Sequence, residues 1–152
     1  MKIKGLWFFG ISGSGKSFLS KFLKKKIKNS ILLDGDDVRK FISFDLSYSI
    51  YDRIIQTKRM LGFAEIFIKN RLFPIISTVY LNKKVYLNAK KIGILVVKVE
   101  REKNKTNLKL KNKKNVVGID ITLPKFKCLV IKNISEKSKK KFFEQIKKII
   151  TF

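Results

Sequence analysis

Apolar residues alternate along the chain between short continuous runs and stretches at helical spacing. Positions 3–9 (Ile-Lys-Gly-Leu-Trp-Phe-Phe) form a run suited to a buried strand, and Phe18, Leu19, Phe22, Leu23 and Ile27 then recur with a helical period. Ile31, Leu32 and Leu33 predict a second strand, and Val38, Phe41 and Ile42 a short helix. A cap at Asp52 opens a long helix to about residue 70, with Ile54, Leu61, Ala64 and Ile68 on one side. A third strand covers 74–79, because proline is tolerated at a strand's first residue. A helix over 82–91 and a strand over 92–99 follow. After a connector at 116–124, positions 125–132 contain the last strand, and Ser135 caps a closing helix with Phe142, Phe143, Ile146, Ile149 and Ile150. Strand and helix alternate throughout, which predicts an α/β fold of three layers, a mostly parallel central sheet with helices on both faces. With no internal repeat and no linker, residues 1–152 read as a single domain.

Between 100 and 115 the pattern stops and the chain becomes dense in lysine and asparagine. Two readings are open, a mobile lid over about 100–117 or a disordered surface loop; long loops in compact domains are often functional.

Composition narrows the chemistry. Cys128 is the only cysteine, which excludes a disulfide framework or a cysteine-rich zinc site, and its apolar surroundings predict a small core residue. Histidine is absent, so Ser-His-Asp and Cys-His mechanisms are excluded. No apolar run approaches the ~20 residues of a membrane span. Lys2 and Lys4 before Leu6–Phe9 mimic a secretory signal without a cleavage site, so a cytoplasmic protein is expected. The net charge of +25 invites a nucleic-acid reading. However, the chain is rich in Lys, Asn, Ile and Phe, whose codons are A/T-rich, and its lysines lack interleaved aromatic or glycine motifs. Specific nucleic-acid recognition is therefore not expected.

Gly10-Ile11-Ser12-Gly13-Ser14-Gly15-Lys16-Ser17 fits G-x-x-x-x-G-K-[ST], the Walker A or P-loop pattern, between a strand and a helix. Its glycines let successive N–H groups turn inward around an anion. Lys16 is expected to reach the β- and γ-phosphates of ATP, and Ser17 to give its hydroxyl to Mg²⁺ at a helix start that favours negative charge. A flexible Gly/Ser turn is the alternative.

The scarcer charges cluster. Three of the five arginines (Arg39, Arg53, Arg59) and five of the six aspartates (Asp34, Asp36, Asp37, Asp45, Asp52) lie between positions 34 and 59. Asp34, Asp36 and Asp37 follow the second strand, where open α/β sheets place their ligands, and Asp34 counts among the expected substrate contacts.

Taken together, the loop at 10–17, Leu33-Asp34-Gly35-Asp36-Asp37-Val38-Arg39, Asp45-Leu46-Ser47-Tyr48-Ser49 and Asp52-Arg53 resemble the adenylyl-sulfate (APS) kinase family. That family reads G-x-S-G-S-G-K-[ST], L-D-G-D-N-[VI]-R, D-L-G-F-S and D-R-x-x-N-I-R-R, and the spacings agree without a gap from Asp34 to Arg59. The resemblance implies a P-loop kinase domain using ATP and Mg²⁺. By the same resemblance Asp36 takes the proton of a ribose 3′-hydroxyl and helps hold hydrated Mg²⁺, and Arg39 and Arg53 hold the substrate's phosphosulfate. Tyr48 stands where a phenylalanine stacks on adenine, and Gln56 where an asparagine contacts the substrate. Helix capping by Asp36 and surface ion pairs of Arg39 and Arg53 are the structural alternatives.

Beyond residue 78 the chain departs from this pattern. Val79-Tyr80-Leu81-Asn82-Lys83 replaces I-S-P-Y-R, the lid sequence K-G-L-Y-K-K-A-R is absent, and Val116 stands where the second adenine-facing phenylalanine is expected. The expected activity is ATP-dependent phosphorylation of the 3′-hydroxyl of adenylyl sulfate. The alternatives are a related acceptor such as cytidine diphosphoramidate, a nucleic-acid-binding NTPase, or an inactive nucleotide-binding protein. The expected partner is a small-molecule nucleotide substrate, no membrane association is expected, and a homodimer is left open.

Overall fold

A computed structural model describes residues 2–101, 112–132 and 134–150. In chain order the elements are β1 (Gly5–Phe9), α1 (Lys16–Lys26), β2 (Ser30–Asp34), α2 (Gly35–Phe41), α3 (Ile50–Lys69), β3 (Phe73–Thr78), α4 (Lys83–Lys91), β4 (Ile94–Glu100), β5 (Leu129–Lys132) and α5 (Glu136–Lys147). The five strands form one sheet in the order β2-β3-β1-β4-β5, and every pairing is parallel.

The alternating faces of the strands build the layers. Trp7 and Phe9 of β1 join Ile76 and Val96 in a cluster with Met60, Leu61 and Ala64 of α3 and Val85, Tyr86 and Ala89 of α4. Leu6 and Phe8 point the other way, joining Ile75 and Val97 in a cluster with Leu19 and Leu23 of α1 and Phe142 and Ile146 of α5. β1 is thus covered on both sides, which is why its sequence is an unbroken apolar run rather than an alternation.

Several boundaries differ from those the sequence predicts. The long helix is capped by Ser49, not Asp52: Ser49 Oγ accepts from the Asp52 N–H at 3.1 Å, and the Asp52 carboxylate accepts from the Ser49 hydroxyl at 2.8 Å. The pair satisfies two polar groups at once, a reciprocal cap that pattern alone does not reveal. β3 begins at Phe73, so Pro74 is its second residue. The Phe73 N–H donates to Asn29 O, towards β2; alternation turns Pro74 N towards β1, where pairing begins only at Ile75. Gly5 leaves space for the ring there, since a Cβ would lie 2.9 Å from Pro74 Cγ. On α2 only Val38 is buried, while Phe41 and Ile42 are exposed, and Ile149 lies exposed beyond the end of α5. Cys128 packs half-buried against the first cluster, and burial pushes its thiol up, away from the reactive thiolate. Among the described residues no helix is long and apolar enough to cross a membrane.

The order 2-3-1-4-5 sends the chain from β1 into α1 on one face and from β3 into α4 on the other. The carboxyl ends of these adjacent strands therefore bound a crevice, the place where such sheets bind ligands. The glycine-rich loop follows β1, and Thr78, Val79 and Tyr80 lie at the end of β3.

Candidate active site

The loop after β1 packs closely enough to need its glycines. Gly10 has φ +151°, and a Cβ on it would stand 2.2 Å from Val99 O at the end of β4. The loop closes with the Ser14 N–H donating to Ile11 O at 3.2 Å. Gly15, left-handed at φ 102°, is the N-cap of α1 and has no side chain to satisfy the helix's first N–H groups. No acidic residue of α1 itself occupies that first turn and three lysines occupy the last, so the helix's own sequence leaves its positive amino end uncompensated.

Lys16 is buried within the loop, with Nζ donating to Gly10 O and Ile11 O, each at 2.8 Å. Burial lowers its pKa from the ordinary 10.5 to about 8, against the opposing charges of Asp34 and Asp36. Ser17 next to it donates its hydroxyl to Asp34 Oδ2 at 3.3 Å.

Asp34 caps α2, its Oδ1 accepting the Asp36 N–H at 3.0 Å. Capping therefore falls to Asp34, and the Asp36 carboxylate makes no hydrogen bond to another described residue. Asp36 lines a cavity of about 570 Å³ together with Arg39, Tyr48, Arg53 and Gln56, and the loop residue Ser12 reaches the same space. Asp34, expected among the substrate contacts, does not line the cavity. It lies beside Ser17.

Among the described residues no carboxylate lies within salt-bridge distance of Arg39 or Arg53. Arg39 donates to Ser47 O, and Arg53 donates to Tyr48 O at 3.0 Å and to Asn115 O at 2.9 Å. The nearby acids are engaged elsewhere: Asp45 takes both terminal nitrogens of Arg59, at 2.6 and 2.7 Å, and Asp52 takes the hydroxyls of Ser47 and Ser49. These bonds hold the carboxyls of Asp45 and Asp52 below the usual carboxylate range, and the Asp45 pair raises Arg59. Arg59 and Asp45 thus leave the cavity to Arg39 and Arg53. Burial, then the neighbouring charge of Arg39, pushes Arg53 down from its ordinary value.

Gln56 is only 4% exposed, and its Nε2 donates to Gly35 O at 3.1 Å, while Oε1 is buried with no donor among the described residues. The carbonyl it faces fixes the amide orientation. Val116 and Val117 also line the cavity, as do Lys113, Lys114 and Asn115. The expected lid at 100–117 otherwise falls largely outside the described residues.

Some lining residues were not anticipated. Tyr80 is buried against Val117 and Ile121, and burial raises its phenol's pKa. Its place just after β3 was the available signal. Arg101 donates to Gly13 O at 3.2 Å, bringing the end of β4 over the loop.

The donor set suits a hard cation only with help. Among the described residues no three His, Cys, Asp or Glu side chains cluster as a metal site. Mg²⁺ ordinarily takes one or two protein oxygens and completes its shell with phosphates and water. The Ser17 hydroxyl beside Asp34, at the mouth of a phosphate cradle, fits that requirement.

Residues 3–116 match the family model described as adenylylsulphate kinase. The chain is 36% identical over 107 residues to the adenylyl-sulfate kinase of Buchnera aphidicola subsp. Schizaphis graminum, covering 65% of this chain and 51% of that one. It is 39% identical over 67 residues to a probable adenylyl-sulfate kinase of Bacillus subtilis, covering 41% and 34%. The chain thus spans about half, or less, of the length of these curated relatives. The solved structure of the Mycobacterium tuberculosis APS kinase CysC, in complex with AMPPNP and APS, matches with a TM-score of 0.79 at 22% identity, over 96% of this chain and 98% of that one. A sugar kinase from Janibacter sp. matches with a TM-score of 0.69 at 9% identity, over 99% of each chain. At those identities the likeness is one of fold, and the fold is shared by kinases with different acceptors.

Proposed function

Because the chain belongs to the adenylylsulphate kinase family, we propose that it transfers the γ-phosphoryl group of ATP to the ribose 3′-hydroxyl of a nucleotide conjugate, with adenylyl sulfate as the acceptor. The observation that carries this reading is a single cavity lined both by Ser12 of the phosphate loop and by Asp36, Arg39 and Arg53.

The reaction forms a bond from the acceptor oxygen to the γ-phosphorus and breaks the bond to the β-phosphate oxygen, releasing ADP. Phosphoryl transfer asks mainly for positioning and charge stabilisation. The loop N–H groups hold the phosphates, and Lys16 turns from Gly10 O and Ile11 O onto their oxygens. Asp36 orients the attacking hydroxyl and accepts its proton as the new bond forms. Arg39 and Arg53 hold the acceptor's anionic end, for which a planar fork of donors is well suited. Ser17, with Asp34 behind it, would hold Mg²⁺, which neutralises phosphate charge when bound.

A second acceptor is favoured by one feature. Val116 gives the cavity an aliphatic wall where the resemblance expects an aromatic one. The loss of such a face costs a stacked base ~1–3 kcal/mol, and a smaller base such as that of cytidine diphosphoramidate depends on it less.

The test is direct. The purified protein is incubated with ATP, Mg²⁺ and either adenylyl sulfate or cytidine diphosphoramidate, and the 3′-phosphorylated product is measured. Product from adenylyl sulfate supports the first reading, and product from the cytidine compound alone replaces it with the second. ATP consumption with neither, or only with RNA present, removes the kinase reading.

A further inference from the structure

Tyr48 stands where a base-stacking ring is expected, but its surroundings suggest a different task. The Cζ of Arg39 lies 4.6 Å from the centre of its ring and that of Arg53 5.5 Å. The backbone of the same loop holds both guanidiniums, through Ser47 O for Arg39 and Tyr48 O for Arg53. The loop itself is fastened at both ends, by the two-pronged Asp45–Arg59 pair and by the bonds from Ser47 and Ser49 to Asp52.

Two like charges held together need some compensation. A carboxylate would supply it by cancelling the charge a ligand is to meet. The negative face of an aromatic ring and the oxygens of backbone carbonyls attract a guanidinium while leaving its full positive charge in place. Burial first, and the charge of Arg39 second, push Arg53 down from its ordinary value, in keeping with two like charges held near one another.

We infer that Tyr48 is a positioning residue for an anion: its ring holds Arg39 and Arg53 ready for a ligand carrying two adjacent anionic groups, of the diphosphate or phosphosulfate class. This deepens the acceptor-site reading above and rests on it. It also makes the ring's contribution independent of which base the acceptor carries.

The probe is inorganic pyrophosphate, which has two anionic groups and no base. It is titrated calorimetrically into the protein with the donor site filled by AMPPNP and Mg²⁺. Tyr48→Leu is expected to bind it roughly 3- to 10-fold more weakly, in keeping with two partly exposed cation–ring contacts. Tyr48→Phe keeps the ring and restores binding to within about twofold of wild type. In an Arg39→Met background, Tyr48→Leu costs markedly less than in wild type, because the two residues act as one unit. If Tyr48→Leu melts early, Tyr48→Gln carries the same expectation.

Unchanged pyrophosphate binding in the ring-less variants, with weakened binding of adenylyl sulfate, would overturn the inference in favour of base stacking. Absence of pyrophosphate binding in wild type would overturn it as well. Failure of phosphoryl transfer to every acceptor removes the kinase reading and leaves the pyrophosphate result to be judged separately.

Discussion

The hydroxyl of Ser17 meets the carboxylate of Asp34 at 3.3 Å, tying the first turn of α1 to the carboxyl end of β2. The other oxygen of the same carboxylate takes the Asp36 N–H, so one side chain sets the positions of both the phosphate loop's hydroxyl and the first turn of α2. The ligand oxygens proposed for Mg²⁺ and the proposed catalytic carboxylate are thereby coupled.

Asp34→Asn keeps the shape of this junction and removes its charge. The Mg²⁺ concentration needed for half-maximal turnover is expected to rise roughly 10- to 100-fold, the usual effect of disturbing a group behind a metal ligand. ATP binding measured in EDTA should be unchanged or tighter, since a carboxylate near phosphates repels them. An unchanged Mg²⁺ requirement would detach Asp34 from the metal.

Lys16 sets a pH dependence whose sign can be worked out. Its folded pKa of about 8 lies below the ordinary 10.5, so between these values the unfolded chain holds a proton that the folded one has lost. Stability of the free protein therefore rises with pH across that window, and the cost of burying the charge is fully present below it. ATP phosphates favour the charged form, so binding above pH 8 should take up a proton and weaken as pH rises. Calorimetry at pH 8.5 in buffers of different ionisation enthalpy measures the uptake, and Lys16→Met should abolish it.

Much of this was legible in the chain. The run at 3–9 specified a strand buried on both faces, and the phosphate loop's position between strand and helix placed it at the crevice. Contacts across chain distance were less visible. Asp45 and Arg59 belong to the same charge cluster as Arg39 and Arg53, and only the turn between α2 and α3 decides that the first two pair with each other and the last two face the cavity. The cap of α3 falls to Ser49 rather than Asp52 for a local reason: both are good capping residues, and the choice depends on hydroxyl bonds that spacing does not encode. Nothing in the sequence separates Tyr80 from a core residue, since a tyrosine after an apolar run fits either place, and its ring is both core and cavity wall.

Gly118 tests the link between the turn after the lid region and the phosphate loop. It has φ +93°, and a Cβ there would lie 2.7 Å from Ile11 Cγ2. Its turn is fixed by Asp120, whose carboxylate accepts the Val116 N–H at 2.9 Å. Gly118→Ala forces a side chain into the left-handed region, at ~1–2 kcal/mol, and pushes on Ile11. Both urea stability and ATP affinity should fall. A loss of stability with ATP affinity intact would show that the turn and the loop are not coupled.

Trp7 and Thr78 give the crevice a spectroscopic reporter. The indole N–H donates to Thr78 Oγ1 at 2.8 Å, joining β1 to the last residue of β3 beneath the cavity. Trp7 is fully buried and is the only tryptophan in the chain, so its emission reports this one site. Thr78→Val preserves volume but leaves the buried N–H without an acceptor, which should cost ~1–3 kcal/mol in urea unfolding and move the emission to shorter wavelength. Thr78→Ser restores the acceptor and should recover the wild-type spectrum, although it opens a small void where the methyl was. Because Thr78 also lines the cavity, an acceptor bound there should perturb the same emission in wild type and less in Thr78→Val. Identical stability and spectra for Thr78→Val and wild type would mean that another group satisfies the indole, and that the bond does not brace the floor of the site.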